Sequence, residues 1–375
     1  TAEALAPHLA PAPAPAPQDS NAVPEEIGGF KLIRRIGEGA LGTVWLADLP
    51  IRETPERAVF SPAIPFSFTY DGRPSSEFLE GWGLKRGAVR LDEHRTRYNQ
   101  VYIDPKTHLE VRCEAVAYDD YPTVEWTVYF KNGGNKDTPI LEDLQALDLR
   151  LERTGKGEFT LHHAVGTLVA ANDFEPLATP LKPDSTLEFT PGHGRPCANV
   201  FPYYNLEWPG QGLIAAVAWP GKWAARFERD GAGGLRIRAG QERTHFTLHP
   251  AEEVRTPLIV LQFWQGGRLH AQNVWRQWML AHTLPKPYGK PLSAQMAACS
   301  SHQYGEMINA NEENQKMFVD GYLKNGMKLD YWWMDAGWYI NQTGWPNTGT
   351  WEVDPKRFPN GLRAITDYAH AKDVN

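Results

Sequence analysis

One short segment of the chain combines a carboxylate with an unusual density of aromatic rings. The sequence DYWWMDAGWY, Asp330 to Tyr339, sets Asp335 among five rings and just before an Ala-Gly pair. A carboxylate accepts hydrogen bonds from hydroxyl groups, and an aromatic ring packs on the flat apolar face of a pyranose. We therefore predict a substrate contact at Asp335 and Trp338, with Trp333 as a weaker candidate. The alternative is an aspartate that only hydrogen-bonds the following turn.

Two other segments carry further candidates. CSSHQYGEM places Ser301 and His302 after a short apolar run, where hydrogen bonding within a loop is favoured over nucleophilic catalysis, which needs an oxyanion hole. NTGTWEVDPKRFPNG carries Trp351, which either covers a pocket or anchors the loop by its own burial. No metal site and no cofactor are predicted, because the cysteines stand apart without metal-ligand spacing: Cys113, Cys197 and Cys299.

A glycine-rich segment near the start indicates a different chemistry. In GGFKLIRRIGEGALGTVWLAD, Gly37, Gly39 and Gly42 follow the G-x-G-x-x-G spacing and resemble the loop that covers ATP phosphates in serine/threonine protein kinases. The lysine, the catalytic-loop aspartate and the metal-binding aspartate that a kinase also needs have no counterpart in the chain. We therefore interpret residues 28–49 as a kinase-loop remnant without phosphotransfer activity.

Composition excludes several classes of partner. The 375 residues carry a formal net charge of -7 without clustered basic residues, so no nucleic-acid partner is predicted. No apolar run is long enough to cross a bilayer, and no membrane partner is predicted. The chain holds 14 Trp and 14 Tyr, a density typical of surfaces that bind sugars. Self-association is left open, and no localisation is predicted.

The order of the elements predicts several domains. Residues 1–27 contain APAPAPAP and predict a disordered linker. Residues 60–285 contain alternating segments such as LEVRCEAVAY, THFTLH and LIVLQFW, which predict a large antiparallel β-sandwich, closed by a helix with Val274 and Trp278 on one face. Residues 290–375 predict the first two β/α units of a (β/α)8 barrel or a doubly wound sheet, beginning with LSAQMAACSS as a short buried strand.

The second predicted strand positions the opening segment. Alternation places Tyr331, Trp333 and Asp335 on one face, and Trp332 and Met334 on the other, under the helices. Asp335 then lies at the carboxyl end of the strand, where active sites of barrel enzymes are found.

Three stretches give the chain, from about residue 60 onward, a family resemblance. YNLEWPGQGLIAAVAWPGKWAARF, DYWWMDAGWY and TWEVDPKRFPNGLRAITDYAHAKDVN resemble, in order, the β-supersandwich and the second and third barrel strands of glycoside hydrolase family 36, the melibiase type of α-galactosidase. The resemblance implies that Asp335 is the first acid of an Asp-Asp-Gly-Trp motif and binds galactose hydroxyls. Ala336 replaces the second acid. The sequence therefore leaves open whether the preferred sugar is galactose or N-acetylgalactosamine. Trp338 matches the Trp of that motif.

The same resemblance implies what the chain lacks. Family members are similar to other retaining glycosidases in using two carboxylates, and both would lie on later barrel strands, beyond Asn375. No catalytic residue is therefore expected within this chain, which would be truncated inside the barrel. The implied parent activity is hydrolysis of oligo- or polysaccharides with terminal α-galactose; a transglycosylase is the close variant. A non-catalytic carbohydrate-binding or scaffold fragment is the alternative.

Overall fold

The chain divides into two compact units, Thr1–Thr283 and Leu284–Asn375. The computed structural model describes residues 64–153, 157–299, 306–341 and 349–375, and gives the backbone alone for 26–27, 30–39, 42–48 and 306–307.

The glycine-rich segment forms two antiparallel strands, and a third strand pairs with them from just before it. Gly39 pairs with Gly42, and Gly37 pairs with Val44. The linker predicted over 1–27 lies outside the described residues except at its last two positions, which form a strand. The strands, in order, are β1 (Glu26–Ile27), β2 (Phe30–Gly39) and β3 (Gly42–Asp48).

The rest of the first unit is built almost entirely of strands. All strand pairs in its described part are antiparallel, which confirms the predicted β-rich, antiparallel architecture. The strands are β4 (Ser67–Tyr70), β5 (Arg73–Pro74), β6 (Gly83–Arg90), β7 (Arg95–Ile103), β8 (Leu109–Tyr118), β9 (Thr123–Asn132), β10 (Leu141–Glu152), β11 (Thr160–Ala164), β12 (Pro176–Pro180), β13 (Ser185–Phe189), β14 (Tyr203–Trp208), β15 (Gln211–Ala218), β16 (Trp223–Arg229), β17 (Gly234–Gln241), β18 (His245–Phe246), β19 (Glu253–Arg255) and β20 (Leu258–Gln265).

These strands form two sheets with a shared apolar core. The smaller sheet has the order β13-β16-β17-β10-β4-β5, with β18 beside β10; the larger has the order β12-β11-β14-β15-β20-β9-β8-β7-β6, with β19 beside β9. Alternate residues of each strand enter the core: Val111 of β8 lies opposite Phe130 of β9, and both are fully enclosed. Trp223 and Phe227 of the smaller sheet belong to the same cluster, so the core lies between the sheets.

A helix covers part of the outer face of the larger sheet. Helix α1 (Arg268–Trp278) continues into a π-helical turn at Met279–Thr283. Its buried residues are Ala271, Trp275 and Trp278, which pack against Ile214. The helix and the burial of Trp278 are confirmed, but the prediction for Val274 was wrong. The buried face follows the helical spacing of Ala271, Trp275 and Trp278, which leaves Val274 only partly buried.

The predicted strand THFTLH is reduced to the two residues of β18. On either side of them, isolated backbone bonds are accompanied by hydrogen bonds to side chains. Thr244 Oγ1 accepts a hydrogen bond from the backbone amide of Leu144 at 2.9 Å. Thr138 Oγ1 accepts one from the backbone amide of Leu248, also at 2.9 Å. Threonine hydroxyls compete in this way with strand pairing.

The second unit alternates short strands and helices, as its sequence predicted. A single 3-10 turn at Pro287–Gly289 precedes them. Strand β21 pairs with β22 in parallel. None of the described helices is long and apolar enough to span a membrane. The elements are β21 (Ala297–Ala298), α2 (Glu306–Asn309), α3 (Glu312–Lys324), β22 (Tyr331–Trp332) and α4 (Arg363–His370).

The prediction of a buried first strand in this unit was wrong. Residues 291–297 are exposed, and the ladder contains only Ala297 and the partly buried Ala298. A parallel strand is buried when layers cover both of its faces. Within the described part of this unit, the helical layer packs on the side of Trp332 and Met334, which is one face of the sheet.

Candidate functional site

The site is built at the carboxyl ends of the parallel strands of the second unit. The amide of Tyr331 donates to Met296 at 3.1 Å, and that of Trp333 donates to the carbonyl of Ala298 at 2.9 Å. On the other side of β22, the amide of Asn375 donates to Asp330 at 3.0 Å, and Trp332 donates back to Asn375 at 2.8 Å. Residue 375 therefore joins β22 as a third parallel strand would, and β22 lies in the middle.

Alternation along β22 sorts its rings between two environments. Trp332 stacks on Phe318 at 6.2 Å between ring centroids, and its Nε1 donates to Oε1 of the fully enclosed Gln315 at 2.9 Å. Tyr331 and Trp333 point the opposite way and are 39% and 62% exposed. The structure thus places the rings as alternation predicted: Trp332 beneath helix α3, and its neighbours on the open face.

Asp335 ends this alternating run on the exposed side. It is followed by Gly337, whose φ of 81° lies in the left-handed region where a side chain would be strained. The turn is held by the buried Asn341, whose Nδ2 donates to the carbonyls of Gly337 at 3.3 Å and Ile308 at 3.1 Å. Asp335 therefore lies directly before a turn whose backbone is fixed by its neighbours.

Two tryptophans meet beyond this turn. The rings of Trp338 and Trp351 lie 5.8 Å apart with an interplanar angle of 32°, and the buried Tyr339 meets Trp351 edge-on at 5.7 Å. Trp351 is 64% exposed and has a φ of 54°, an uncommon conformation for a bulky residue. Of the two roles predicted for Trp351, anchoring by its own burial is excluded by this exposure. The ring instead adds an accessible apolar surface beside Trp338.

Arg357 fastens the segments that carry these rings. Its guanidinium donates to the carbonyl of Ala310 at 2.7 Å, to that of Tyr339 at 2.7 Å, and to the carboxylate of Asp354 at 2.9 Å. Two backbone bonds run alongside: Ile340 donates to Glu352 at 3.0 Å and Asp354 to Trp338 at 3.1 Å. Sequence reasoning missed Arg357, because a loop arginine three residues after an aspartate gives no sign of its distant carbonyl partners.

We expect Arg357→Ala to destabilise the second unit by about 2 kcal/mol, since buried carbonyls lose charged donors. Hydrogen exchange should accelerate at the amides of Ile340 and Asp354, which mass spectrometry can measure. Arg363→Ala is the matched control, because the Arg363 side chain is 88% exposed and pairs with Asp367 at 3.5 Å. Equal protection of the loop in both variants would contradict the role given to Arg357.

The remaining candidates fall in different places. Ser301 and His302 lie outside the described residues, as do their contacts. Gly37, Gly39 and Gly42 lie in the β2–β3 hairpin, where only the backbone is described. No group of three or more His, Cys, Asp or Glu side chains within the described ranges could hold a metal ion.

The neighbouring carboxylate of Asp330 stabilises the strand pairing rather than facing a ligand. Asp330 accepts the amide of Met296 at 2.8 Å and pairs with Lys328 Nζ at 2.7 Å. The bond from Lys328, followed by that from Met296, lowers the pKa of the Asp330 carboxyl below its usual range. Asp330 thus fixes the register of β21 and β22, which in turn determines the direction in which Trp333 and Asp335 point.

Comparison with known proteins identifies similar chains. No protein-family model matches. α-Galactosidase Mel36A of Lactobacillus acidophilus is 22% identical over 310 residues, covering 81% of this chain and 40% of its own length. α-Galactosidase 2 of Pediococcus pentosaceus is 27% identical over 174 residues, covering 44% of this chain and 22% of its own length. The chain therefore spans less than half of these relatives.

Solved structures show the same fold at lower identity. The glycoside hydrolase family 36 α-galactosidase AgaA of Geobacillus stearothermophilus, in complex with raffinose, superposes with a TM-score of 0.65 at 14% identity, over 93% of this chain and 55% of AgaA. An α-galactosidase of Lactobacillus brevis gives 0.65 at 14% identity, over 92% and 52%. The antiparallel, β-rich architecture is thus shared with enzymes of this family.

Proposed function

We propose that this chain is part of a retaining α-galactosidase of glycoside hydrolase family 36, which hydrolyses terminal α-galactosides. The observation that carries the proposal is the strand-end site, where the exposed Asp335, Trp333 and Trp351 are joined by the partly buried Trp338. Support comes from the two α-galactosidases of similar sequence and from the fold shared with family members. The kinase reading has no comparable support.

In this proposal the second unit begins a (β/α)8 barrel. The order β21, β22 and residue 375 in neighbouring positions, with α3 and α4 in the connections, is the arrangement of consecutive barrel units. Such a barrel takes about 250 residues in all, so later strands belong to the rest of the protein. The first unit is then the supersandwich that precedes the barrel.

Within the site, Asp335 acts as a binding carboxylate. It accepts hydrogen bonds from the hydroxyl groups of the galactose ring. The exposed ring of Trp351, supported by the partly buried Trp338, packs on the sugar's apolar face. Ala336 leaves room where the family keeps a second acid, so the sugar makes fewer charged hydrogen bonds on that side. The nucleophile and the acid/base lie on later strands, flanking the scissile bond.

The proposal predicts a clear difference in activity. The full gene product should hydrolyse a chromogenic α-galactoside, whereas residues 1–375 alone should show no turnover. In the full protein, Asp335→Asn should lower kcat/KM by about tenfold to a hundredfold, the effect of losing a charged hydrogen bond.

Asp367→Asn provides the control, since this carboxylate is 65% exposed on helix α4. Appreciable turnover by residues 1–375 would overturn the assignment of catalysis to later strands. A full gene product that binds galactosides without cleaving them would instead favour a carbohydrate-binding protein.

A further inference from the structure

A second feature with ligand-binding character lies in the first unit, on the outer face of the smaller sheet. There, a row of short or flexible side chains crosses four adjacent strands. Ala224 of β16 lies opposite Gly240 of β17, Gly240 opposite Gln145 of β10, and Gln145 opposite Ser67 of β4. This row is named here the sheet trough. Ala224, Gln145 and Ser67 line a cleft of ≈ 800 Å³, and the buried Gly240 completes the row between Ala224 and Gln145. With strands about 4.8 Å apart, the floor runs for about 14 Å.

The absence of a side chain at Gly240 is built into the backbone. A Cβ at this position would lie 2.2 Å from the carbonyl oxygen of Leu144, which is closer than real contacts allow. The pairing of β10 with β17 is also irregular here, with a register shift between Gln145 and Leu147. A bulge of this kind bends a sheet locally, and bulges recur beside functional sites. The floor of the sheet trough is therefore fixed by backbone geometry.

One wall of the sheet trough is a row of charged side chains. Glu188, Arg226, Arg238 and Asp148 lie successively opposite one another on β13, β16, β17 and β10. Arg226 and Arg238 are thus direct cross-strand neighbours of like charge, an arrangement that costs stability unless it is compensated. Glu228 compensates it: its carboxylate accepts Arg238 Nη2 at 2.8 Å and lies 3.2 Å from Arg226 Nε.

The wall is also held rigid. The Asp148 carboxylate accepts two hydrogen bonds from the Arg236 guanidinium, at 2.8 and 2.7 Å. It accepts a third from Ser67 Oγ at 2.6 Å. Arg226 Nη1 meets Glu188 at 2.9 Å. Side chains fixed by such partners keep donors and acceptors in place for a ligand without further ordering. Both kinds of hydrogen-bonding group thus line the same cleft in fixed positions.

The charges along the cleft nearly cancel. The lining carries four arginines and five carboxylates, a formal balance of -1: Arg226, Arg236, Arg238, Arg243, Glu80, Asp143, Asp148, Glu188 and Glu242. A site for phosphate, sulfate or a uronic acid would instead show a surplus of cations. The chemistry of the lining therefore favours an uncharged ligand that both donates and accepts hydrogen bonds.

The apolar residues of the lining argue against a peptide. Phe66, Phe68 and Phe189 border the cleft but are only 3%, 2% and 8% exposed, so they offer no pocket for an apolar anchor. We infer that the sheet trough is a second binding site, for a neutral linear oligosaccharide whose hydroxyl groups meet the arginine and carboxylate wall. This site is separate from the strand-end site and does not depend on the proposed hydrolysis.

The test places a bulky side chain in the sheet trough and measures the effect on oligosaccharide binding. Isothermal titration of residues 1–375 with the neutral oligosaccharide stachyose is done in an Asp335→Asn background, which weakens binding at the strand-end site. We expect saturable binding that Ala224→Trp weakens at least about tenfold. Thr190→Trp, at the exposed end of the cleft, should weaken it as well, and it guards against a folding defect in the first variant.

The matched control is Thr186→Trp, because Thr186 is exposed on the same face but lies outside the cleft lining. It should bind stachyose as the parent does. The inference is overturned if the parent shows no binding, if both cleft variants bind normally, or if only a charged probe such as polygalacturonate binds. Loss of binding on Asp335→Asn alone would also overturn it, and would assign the bound sugar to the strand-end site.

Discussion

Trp332→Ala is expected to destabilise the second unit by about 3 kcal/mol. Trp332 is the side chain shared by both apolar clusters of this unit: it packs near Phe358 and Ile365 in one and near Leu329 in the other. Its removal leaves a cavity between α3 and β22 and also deprives buried Gln315 of the indole donor. Urea unfolding followed by circular dichroism would measure the loss, and hydrogen exchange would locate it.

The adjacent Trp333 gives a control of identical chemistry. Its ring is on the open face, so Trp333→Ala should leave the free energy of unfolding within about 0.5 kcal/mol of the parent value. The same substitution should weaken galactoside binding at the strand-end site. Equal destabilisation by the two substitutions would contradict the alternation on which the site depends.

Arg229→Ala should destabilise the first unit by about 2–3 kcal/mol, because it removes an enclosed guanidinium and its bonds to charged and carbonyl acceptors. The Arg229 side chain is 1% exposed and donates to Asp230 Oδ1 at 3.0 Å and to the carbonyls of Asp230 at 2.8 Å and Gly234 at 3.2 Å. It also pairs with Glu158 at 3.2 Å. Asp230 keeps Arg150 as a partner and Glu158 keeps Arg153, so the loss is that of the bonds which Arg229 itself makes. Calorimetric melting of the unit measures the loss.

Arg226 lies three residues earlier on the same strand and therefore on the opposite face of the sheet. Its side chain is 43% exposed, so Arg226→Ala should cost less than about 1 kcal/mol. A similar melting temperature for both variants would show that the network around Arg229 contributes little. The comparison separates the effect of enclosure from the effect of charge.

Local pattern was enough to predict the parts of the fold whose periodicity is strong. Strand β8 follows LEVRCEAVAY residue for residue, since one face of it must enter the core. Helix α3 lies in the first of the two β/α units that were predicted over residues 290–375. The orientation of Trp332 and Trp333 followed from alternation alone.

Contacts between distant segments were beyond local pattern. The burial of Trp275 in place of Val274 depends on where the outer face of the larger sheet meets helix α1. The length of β21 depends on which neighbours cover it, and the role of Arg357 depends on carbonyls 18 and 47 residues away. The strand-end carboxylate was predicted, but the frame that holds its aromatic neighbours was not.

The contact between Trp338 and Trp351 has an optical consequence. Two indoles 5.8 Å apart and inclined by 32° are close enough for their electronic transitions to couple. Coupled transitions of this kind give a circular dichroism signal that belongs to the pair. The intensity of that signal depends on the angle between the rings, which the Trp351 loop determines. The chain thus carries an intrinsic chromophore pair beside Asp335, through which the geometry of the loop can be followed without a label.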